Sequence, residues 1–143
     1  MKIKFKKLHE LAQPPSRAND GDAGFDLKAI ALEYPTEGDS GLYIQARTGL
    51  SFEIPKGYVG LVFPRSSISK TRHSLRNAVG VIDSGYRGEV NLRFSHDQSN
   101  TAYKMGDKVG QIVFLKLPNI ELIESESLSS SQRGTGGFGS SGT

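Results

Sequence analysis

Residues 80–90 contain a carboxylate that a strand could present to a cleft. An apolar Gly-Val-Ile run leads to Asp83, a short turn follows, and Tyr86 stands three residues further along the chain. A strand in this position can hold the carboxylate rigidly while its oxygens face a cavity. Asp-Ser-Gly is also ordinary turn chemistry, and the segment taken alone favours an Asp83 that caps its own turn.

Residues 20–27 hold a second group of carboxylates, Asp20, Asp22 and Asp26, around a glycine turn that opens a strand. Carboxylate oxygens suit a hydrated hard cation such as Mg2+, so the segment is a candidate acidic pole for a metal ion. The alternative is a turn in which the aspartates cap backbone N–H groups. For any single one of the three, that structural role is favoured.

Residues 64–67 form a candidate phosphate site, because Arg65 and the hydroxyls of Ser66 and Ser67 follow an apolar strand. A guanidinium can bind two phosphate oxygens at once, and N–H groups at the start of a helix add to that binding. The segment lacks the glycine-rich loop and lysine of the P-loop nucleotide-binding proteins. An N-capped helix that binds no ligand is the alternative.

Two amides lie beside apolar strands. Asn77, three residues before Gly80, could read the edge of a base together with its main-chain neighbours, or it could bond its own backbone. Gln111 stands just before an apolar segment, where it could contact a ligand or a neighbouring turn. Each amide is therefore a candidate binding residue with a structural alternative.

The composition changes near Leu128. Residues 129–143 contain five glycines and five serines, together with Arg133 and Phe138. Such a tail has little to bury and should be flexible in isolation. Glycines around an arginine let backbone N–H groups approach an anion, and an aromatic ring could stack on a flat ligand. A disordered terminus is the alternative.

Length and charge bound the class of protein. The 143 residues suffice for one domain, and they contain no cysteine, so disulfides and thiolate metal sites are excluded. No apolar run approaches the ~20 residues of a spanning helix, and the first five residues alternate like a strand and lack the apolar core of a secretion signal, so a cytoplasmic location is the default expectation. Residues 54–82 contain five cations and no acid. This segment indicates an anionic partner, either nucleic acid or a phosphorylated small molecule, or else a solvated basic face.

Short alternating patterns between Gly and Pro predict the elements that must position these side chains. We expect strands within residues 3–5, 25–30, 42–44, 50–54, 58–63, 90–94, 113–117 and 120–123. A short helix is expected only within residues 66–76. Many short strands predict an all-β sandwich or barrel, with a β domain over residues 1–128 and a flexible arm over residues 129–143.

Taken in order, five segments resemble the homotrimeric dUTPase family: residues 22–27, 64–67, 80–88, 110–114 and 133–142. Each segment is weak evidence alone. The five segments in this order, with family-like spacing, are specific to the family, and the resemblance covers nearly the whole chain. The resemblance implies a distorted β jelly roll and a homotrimer whose active sites each draw on all three subunits. It also implies Mg2+-assisted hydrolysis of dUTP to dUMP and pyrophosphate, which limits uracil in DNA and supplies dUMP for thymidylate synthesis.

The resemblance implies roles for individual residues. Asp83 matches the general base that activates a water for in-line attack on the α-phosphorus. Asp26 matches the carboxylate that holds the waters of Mg2+, and Tyr86 matches the ring that packs on deoxyribose and excludes a 2′-hydroxyl. The other matched positions bind substrate: phosphates at Arg65, Ser66, Ser67 and Gln111, uracil at Asn77, Gly80, Val81 and Ile82, and the closing arm at Arg133, Gly137, Phe138 and Gly139.

Two positions depart from the family pattern. Gly85 stands where many members have Asp, and Ser67 stands where Gly is common. Gly85 could alter the turn without altering the chemistry, and Ser67 could tighten the approach of the backbone to phosphate.

Two other functions were weighed. The related dCTP deaminases place a catalytic glutamate ten positions after the turn aspartate, and that position here is Arg93, which cannot act as such a base. A non-catalytic binding protein is the second alternative. Basic residues that cluster around one phosphate motif, without a stripe of interleaved aromatics, argue against direct nucleic-acid binding. A regulatory protein partner stays open, and no membrane partner is expected.

Overall fold

The structure is a computed structural model that describes residues 1–34, 43–95, 103–138 and 140. Over these residues the regular elements are nine strands and one short helix. The strands are β1 (Lys4–Lys7), β2 (Phe25–Lys28), β3 (Ala31–Glu33), β4 (Tyr43–Arg47), β5 (Leu50–Glu53), β6 (Tyr58–Phe63), β7 (Gly80–Ile82), β8 (Asn91–Ser95) and β9 (Lys108–Lys116). The all-β prediction is confirmed, and the expected helix is a single 3-10 helix, Ser66–Lys70.

Three antiparallel sheets organise the chain. β1 pairs with β5, a four-stranded sheet has the order β2-β9-β6-β7, and a three-stranded sheet has the order β3-β4-β8. The pairing of β2 with β9 joins residues that are far apart in sequence, since Asp26 lies opposite Gln111. The four-stranded sheet therefore carries two of the predicted site segments on one pair of strands.

The core lies between the sheets and is filled from alternate positions of the strands. Along β8 the side chains of Leu92 and Phe94 are fully buried, while Asn91 and Arg93, which alternate with them, are exposed. This alternation is the period-two pattern of a half-buried strand, as the sequence predicted. Phe52 and Phe114 pack with ring centroids 5.7 Å apart at one edge of the core.

Strand β9 is longer than the sequence pattern indicated. Its buried positions include Val109 and Ile112, whereas Leu115 and Leu117, which suggested the strand, are each 47% exposed. At Gly110 an added Cβ would lie 2.9 Å from the carbonyl oxygen of Phe63 and would collide with Leu92. Close packing therefore requires a glycine at this position of β9. The glycine interrupts the apolar pattern that would have marked the buried face of the strand.

The strand expected at residues 120–123 is absent, so that prediction is wrong for the single chain. Ile120 is 70% exposed and Leu122 is 93% exposed, and the backbone after β9 has no regular secondary structure up to Glu124. A strand needs a partner edge for its hydrogen bonds, and no described segment of the same chain lies beside these residues. The apolar alternation is real, but these side chains stay exposed among the residues that the structure describes.

Other boundaries differ little from expectation. The strand predicted at residues 42–44 begins at Tyr43 in the structure, and Leu42 lies outside the described residues. The strand predicted at residues 25–30 ends at Lys28, where the pairing with β9 shifts register. No helix in the described part of the chain is long and apolar enough to cross a membrane.

Candidate active site

Asp83 stands at the end of an edge strand. β7 pairs with β6, with Val81 opposite Leu61, and Asp83 follows the last residue of β7 directly. The turn closes where the N–H of Tyr86 donates to the carbonyl oxygen of Asp83 at 3.1 Å. The carboxylate is exposed, so the strand presents it to solvent on the rim of a cleft.

Tyr86 lies back over its own turn. Its hydroxyl donates to the carbonyl oxygen of Glu89 at 3.0 Å. A Cβ added at Gly88 would collide with the Tyr86 ring, whereas a Cβ at Gly85 would meet open space. Gly88 is therefore required for the ring to take this position, and the ring becomes a fixed wall of the cleft.

Arg87 braces the turn from the other side. One guanidinium nitrogen donates to the carbonyl oxygens of Ser84 and Tyr86, at 2.8 Å and 2.9 Å. The main-chain oxygen of Arg87 accepts from the hydroxyl of Ser51 at 2.7 Å. These bonds fix the loop between β7 and β8 to β5, so Asp83 is held by more than its own strand.

Glu89 anchors the far end of the same loop. Its carboxylate is paired with Arg47 at 2.9 Å and accepts from the N–H of Gly49 at 2.7 Å. Hydrogen bonding to Glu89 and its charge raise the pKa of the Arg47 guanidinium. The sequence interpretation did not assign roles to Arg87 and Glu89, although both fall inside the segment it singled out.

A cavity of about 500 Å³ opens beside Asp83. We call it the Asp83 cavity, and its lining residues are Gln45, Arg76, Asn77, Val81, Ile82, Asp83, Tyr86, Glu89, Val90, Asn91 and Arg93. It brings together five residues that the sequence predicted. Gly80, a sixth, is buried beside the cavity, where an added Cβ would lie 3.2 Å from the Cβ of Val62.

A strained turn presents Asn77 to this cavity. The N–H of Val79 donates to the carbonyl oxygen of Asn77 at 2.5 Å, and Ala78 between them has a φ of 58°. A three-residue turn with positive φ at a non-glycine residue is rare and costs about 1–2 kcal/mol. Strain of this kind persists where the surrounding structure enforces it, often at a binding site.

Arg93 also lines the Asp83 cavity. Its Nε donates to Oε1 of Gln45 at 2.9 Å, and its guanidinium lies 4.6 Å from the centre of the Tyr43 ring. This arrangement puts a cation where the deaminase pattern calls for a glutamate. The sequence reasoning used Arg93 only to discount deamination and did not expect it in the cavity.

Asp26 lies in a second cavity, of about 250 Å³. We call it the Asp26 cavity, and it is lined by Ala18, Asp22, Ala23, Gly24, Asp26, Arg65, Ser66 and Gln111. Asp26 comes from β2, Gln111 from β9, and Arg65 follows β6 just before the 3-10 helix. Four predicted residues therefore meet here through strand pairings that are distant in sequence.

Asp26 is 8% exposed, and both of its oxygens are ion-paired. Arg65 Nε lies 2.8 Å from one oxygen, and Lys108 Nζ lies 2.7 Å from the other. A carboxylate this buried needs such partners, because an unpaired buried charge is costly. Sequence reasoning missed Lys108, for which the available signal was a cation in the Gly-Asp-Lys turn that opens β9.

Gln111 is held close to the neighbouring loop. Its Nε2 donates to the carbonyl oxygen of Pro64 at 3.1 Å, and a Cβ at Gly24 would collide with its side-chain oxygen. Gly24 therefore makes room for the amide. The amide in turn ties the Arg65 loop to β9.

Ser67 does not line the Asp26 cavity. It lines an adjoining cavity of about 530 Å³ with Lys28, Thr71, Tyr103 and Lys108, while Arg65 borders both spaces. Burial raises the pKa of the Tyr103 hydroxyl there. The two serines predicted to act together thus face different spaces on either side of Arg65.

The arm residues lie apart from both cavities. Arg133 Nε donates to the carbonyl oxygen of Gly136 at 3.0 Å, and Phe138 is fully exposed. Neither these residues nor Gly137 line the Asp83 or the Asp26 cavity. Gly139 lies outside the described residues.

The metal prediction can be tested against the donor set. Within the described residues, no group of three or more His, Asp or Glu side chains could hold a metal ion. Asp22 and Asp26 line one cavity, but both Asp26 oxygens already have cationic partners. The residues do not fit direct coordination, whereas a hydrated Mg2+ bound mainly by another ligand would need only one carboxylate nearby.

Comparison with known proteins identifies the family. The dUTPase family profile matches residues 11–142. The deoxyuridine 5′-triphosphate nucleotidohydrolase of Gloeobacter violaceus is 37% identical over 145 aligned residues, covering 99% of this chain and 97% of the relative. The chain belongs to the dUTPase family.

Solved structures agree with that assignment. A point mutant of the Staphylococcus bacteriophage 80alpha dUTPase with dUpNHpp matches with a TM-score of 0.81 and 26% identity over 99% of both chains. A mutant dUTPase from phage phi11 of S. aureus, described as revealing the coordination of a structural Mg(II) ion, matches with a TM-score of 0.71 and 25% identity. That match covers 89% of this chain and 98% of the phi11 chain.

These similarities confirm the jelly-roll-like β fold. They also show that the protein is a dUTP diphosphatase, which hydrolyses dUTP to dUMP.

Proposed function

We propose that Asp83 is the general base of this hydrolysis. Its carboxylate takes a proton from a water, the water oxygen attacks the α-phosphorus in line, and the bond to the bridging oxygen breaks to release pyrophosphate and leave dUMP. The observation that carries this proposal is an exposed carboxylate held by β7 and the braced turn at the rim of the Asp83 cavity. A positioned base of this kind contributes about 10²–10⁴-fold to a rate.

The residues at the rim of the Asp83 cavity suit the uracil base and the deoxyribose of the substrate. Asn77 supplies an amide, and Gly80, Val81 and Ile82 supply main-chain groups of an edge strand that can pair with the edge of uracil. A close backbone rejects cytosine by hydrogen-bond mismatch and thymine by its extra methyl group. The fixed ring of Tyr86 would pack on deoxyribose and leave no space for a 2′-hydroxyl.

The Asp26 cavity suits the phosphates. Arg65 offers a guanidinium, and Ser66 and Gln111 offer polar groups beside it, with Ser67 on the adjoining side. In our proposal the phosphates compete with Asp26 for Arg65, and Lys108 keeps Asp26 neutralised when Arg65 turns to the substrate. Mg2+, when bound with the triphosphate, supplies positive charge to the leaving group, and Asp26 would hold its waters rather than the ion itself.

Separation of the two cavities supports a shared active site in a homotrimer. They have no lining residue in common. Asp26 lies on one edge strand of the four-stranded sheet, and Asp83 follows the opposite edge strand, about 14 Å away by strand spacing. We propose that the Asp83 cavity of one copy meets the Asp26 cavity of another.

The exposed segment that precedes the arm supports the same assembly. Ile120, Leu122, Ile123 and Leu128 are between 70% and 93% exposed in the single chain. Apolar side chains in this number are expected to be covered by a partner, here another copy. We propose that residues 1–128 form the β domain and that residues 129–143 close over a trimer site, with Arg133 on phosphate and Phe138 over the base.

A nucleotide panel tests the activity. Pyrophosphate release should be fast with dUTP and slow with dCTP, dTTP and UTP, and Mg2+ should increase the dUTP rate. Release of ammonia from dCTP would instead support a deaminase, against the position of Arg93. Absence of turnover with every nucleotide, together with retained nucleotide binding, would support a binding protein.

A further inference from the structure

The turn that carries Asp83 separates two cavities. Asp83 and Tyr86 line the Asp83 cavity, whereas Ser84, Gly85 and Arg87 line a second space of about 370 Å³ that shares no described lining residue with the first. We call this second space the Lys56 cavity. A ligand bound there would touch the back of the catalytic turn without entering the site itself.

The Lys56 cavity is strongly basic. Four cations line it (Lys2, Lys4, Lys56 and Arg87), and Glu53 is the only carboxylate among its described lining residues. Glu53 is engaged by Lys4 at 3.1 Å. The lining thus carries a formal charge of +3, which suits a compact polyanion better than a single carboxylate.

Defined backbone positions hold these cations. Lys4 lies on β1 directly opposite Glu53 on β5. Lys56 is on the turn between β5 and β6, where Gly57 has a φ of 79° and the N–H of Tyr58 donates to the carbonyl oxygen of Pro55 at 3.2 Å. The cations therefore converge from β1, the residues just before it and two turns rather than along one flexible segment.

We propose that the Lys56 cavity is a regulatory site for a di- or triphosphate group, either free pyrophosphate or the tail of a nucleotide. Lysine ammonium groups and a guanidinium are the usual protein partners of phosphate oxygens. The cavity is compact and has no aromatic ring in its lining, which argues against a nucleic-acid strand. The structural part of this proposal stands on the cavity alone, and only its kinetic readout rests on the proposed function.

Arg87 links the cavity to catalysis. Arg87 lines the Lys56 cavity, and its guanidinium donates to the carbonyl oxygens of Ser84 and Tyr86. A bound polyphosphate competes for those N–H groups and weakens the brace on the turn. Occupation of the cavity should therefore lower kcat by loosening Asp83, without competing with dUTP for its own site.

Calorimetry provides the binding test. Inorganic pyrophosphate and, in a separate titration, dTTP are added to the full-length protein after its substrate sites have been saturated with dUpNHpp. We expect one site per chain, weakened about tenfold in Lys56→Gln and again in the Lys2→Gln/Lys56→Gln double variant, as loss of charge-assisted bonds implies. Lys104→Gln, a lysine outside the cavity, should leave binding unchanged.

The two titrations distinguish the ligand sources. Tighter binding of pyrophosphate indicates the free anion, and tighter binding of dTTP indicates a nucleotide tail. No binding to the saturated protein, or equal binding by the double variant, would overturn the site. A third titration uses single-stranded DNA. If only DNA bound, and the double variant lost that binding, the phosphate site would also be overturned.

Steady-state kinetics tests the coupling. Added pyrophosphate should lower kcat for dUTP in the parent protein at unchanged KM, and the double variant should keep the parent kcat and resist this inhibition. A rise in KM alone, identical in both proteins, would mean product competition and would contradict the regulatory role. If dUTP is not hydrolysed at all, the proposed function fails, whereas titration of the unsaturated protein and its variants still tests the cavity.

Discussion

The Asp83 cavity and the Asp26 cavity are built in opposite ways. Most of the Asp83 cavity comes from one stretch of chain, residues 76–93, folded as an edge strand, a braced turn and the next strand. The Asp26 cavity is assembled from β2, β9 and the loop after β6, which are far apart in sequence. The first cavity therefore owes its geometry to local turns, and the second owes its geometry to sheet pairing and buried ion pairs.

This difference shows which contacts position the residues of each cavity. In our proposal Asp83 is a base that must be positioned, and local hydrogen bonds of Arg87 and Glu89 hold its turn while Gly88 leaves room for the Tyr86 ring. In our proposal the Asp26 cavity binds the phosphates, which requires positive charge, and Asp26 pairs with both Arg65 and Lys108. Substitutions in the two cavities should consequently fail differently, the first through kcat or selectivity and the second through KM.

The largest effect should follow Asp83→Asn. The amide keeps the shape of the turn but cannot accept the proton of water, so kcat should fall about 10³-fold while dUTP binding and the melting temperature are preserved. Asp20→Asn, which alters an exposed carboxylate outside both cavities, is the matched control. Turnover within a few-fold of the parent enzyme would remove Asp83 from the role of base.

Deletion of residues 129–143 should have the next largest effect. The described arm residues line neither cavity in the single chain, so the truncated protein should keep its melting temperature and its oligomeric state. Loss of a closing group over the phosphates should lower kcat/KM by about 10²-fold. Normal steady-state turnover by the truncated enzyme would show that the arm has no part in the site.

A pair of glycines sharpens the account of the Asp83 turn. Gly88→Ala forces the Tyr86 ring to move, whereas Gly85→Ala places its methyl group in open space. The preference of the first variant for dUTP over UTP should fall about tenfold. A loss of this size corresponds to one displaced contact between the Tyr86 ring and the sugar. The second should keep that preference, and equal selectivity in the two variants would contradict the role of the ring.

The smallest effect should come from Lys108→Gln. Asp26 would then be neutralised by Arg65 alone, and the phosphates would compete less well for the guanidinium. We expect KM for dUTP to rise about threefold, since the pair is partly exposed, with kcat unchanged. Lys108→Arg should restore the parent KM and Lys104→Gln should not alter it, while a fall in kcat alone would indicate a different role for Lys108.

More residues of the Asp83 cavity than of the Asp26 cavity could be predicted from local sequence patterns. Gly80, Asp83 and Tyr86 lie within one short motif, and alternating apolar residues mark the strands on either side. The fold class followed from the same alternation and from Gly and Pro between strands. Arg87 and Glu89 were missed because the bonds they make to turn carbonyls and to Arg47 leave no periodic signal.

The Asp26 cavity, whose residues come from distant parts of the chain, could be predicted only through family resemblance. Nothing local to Asp26 shows that β2 pairs with β9 or that Lys108 reaches the same carboxylate. The strand expected at residues 120–123 failed for a related reason. Its alternation was genuine, but a strand also needs an edge to pair with, and the single chain offers none among its described residues.

Mixed trimers test the central claim, that one copy supplies Asp83 and another supplies Arg65. Asp83→Asn and Arg65→Ala proteins, each nearly inactive alone, are unfolded together, refolded as a mixture and assayed for pyrophosphate release from dUTP. If the site is shared, every mixed trimer has one site with both native residues, and activity should return on mixing. If mixed trimers form and activity does not return, both residues act within one copy and the account is contradicted.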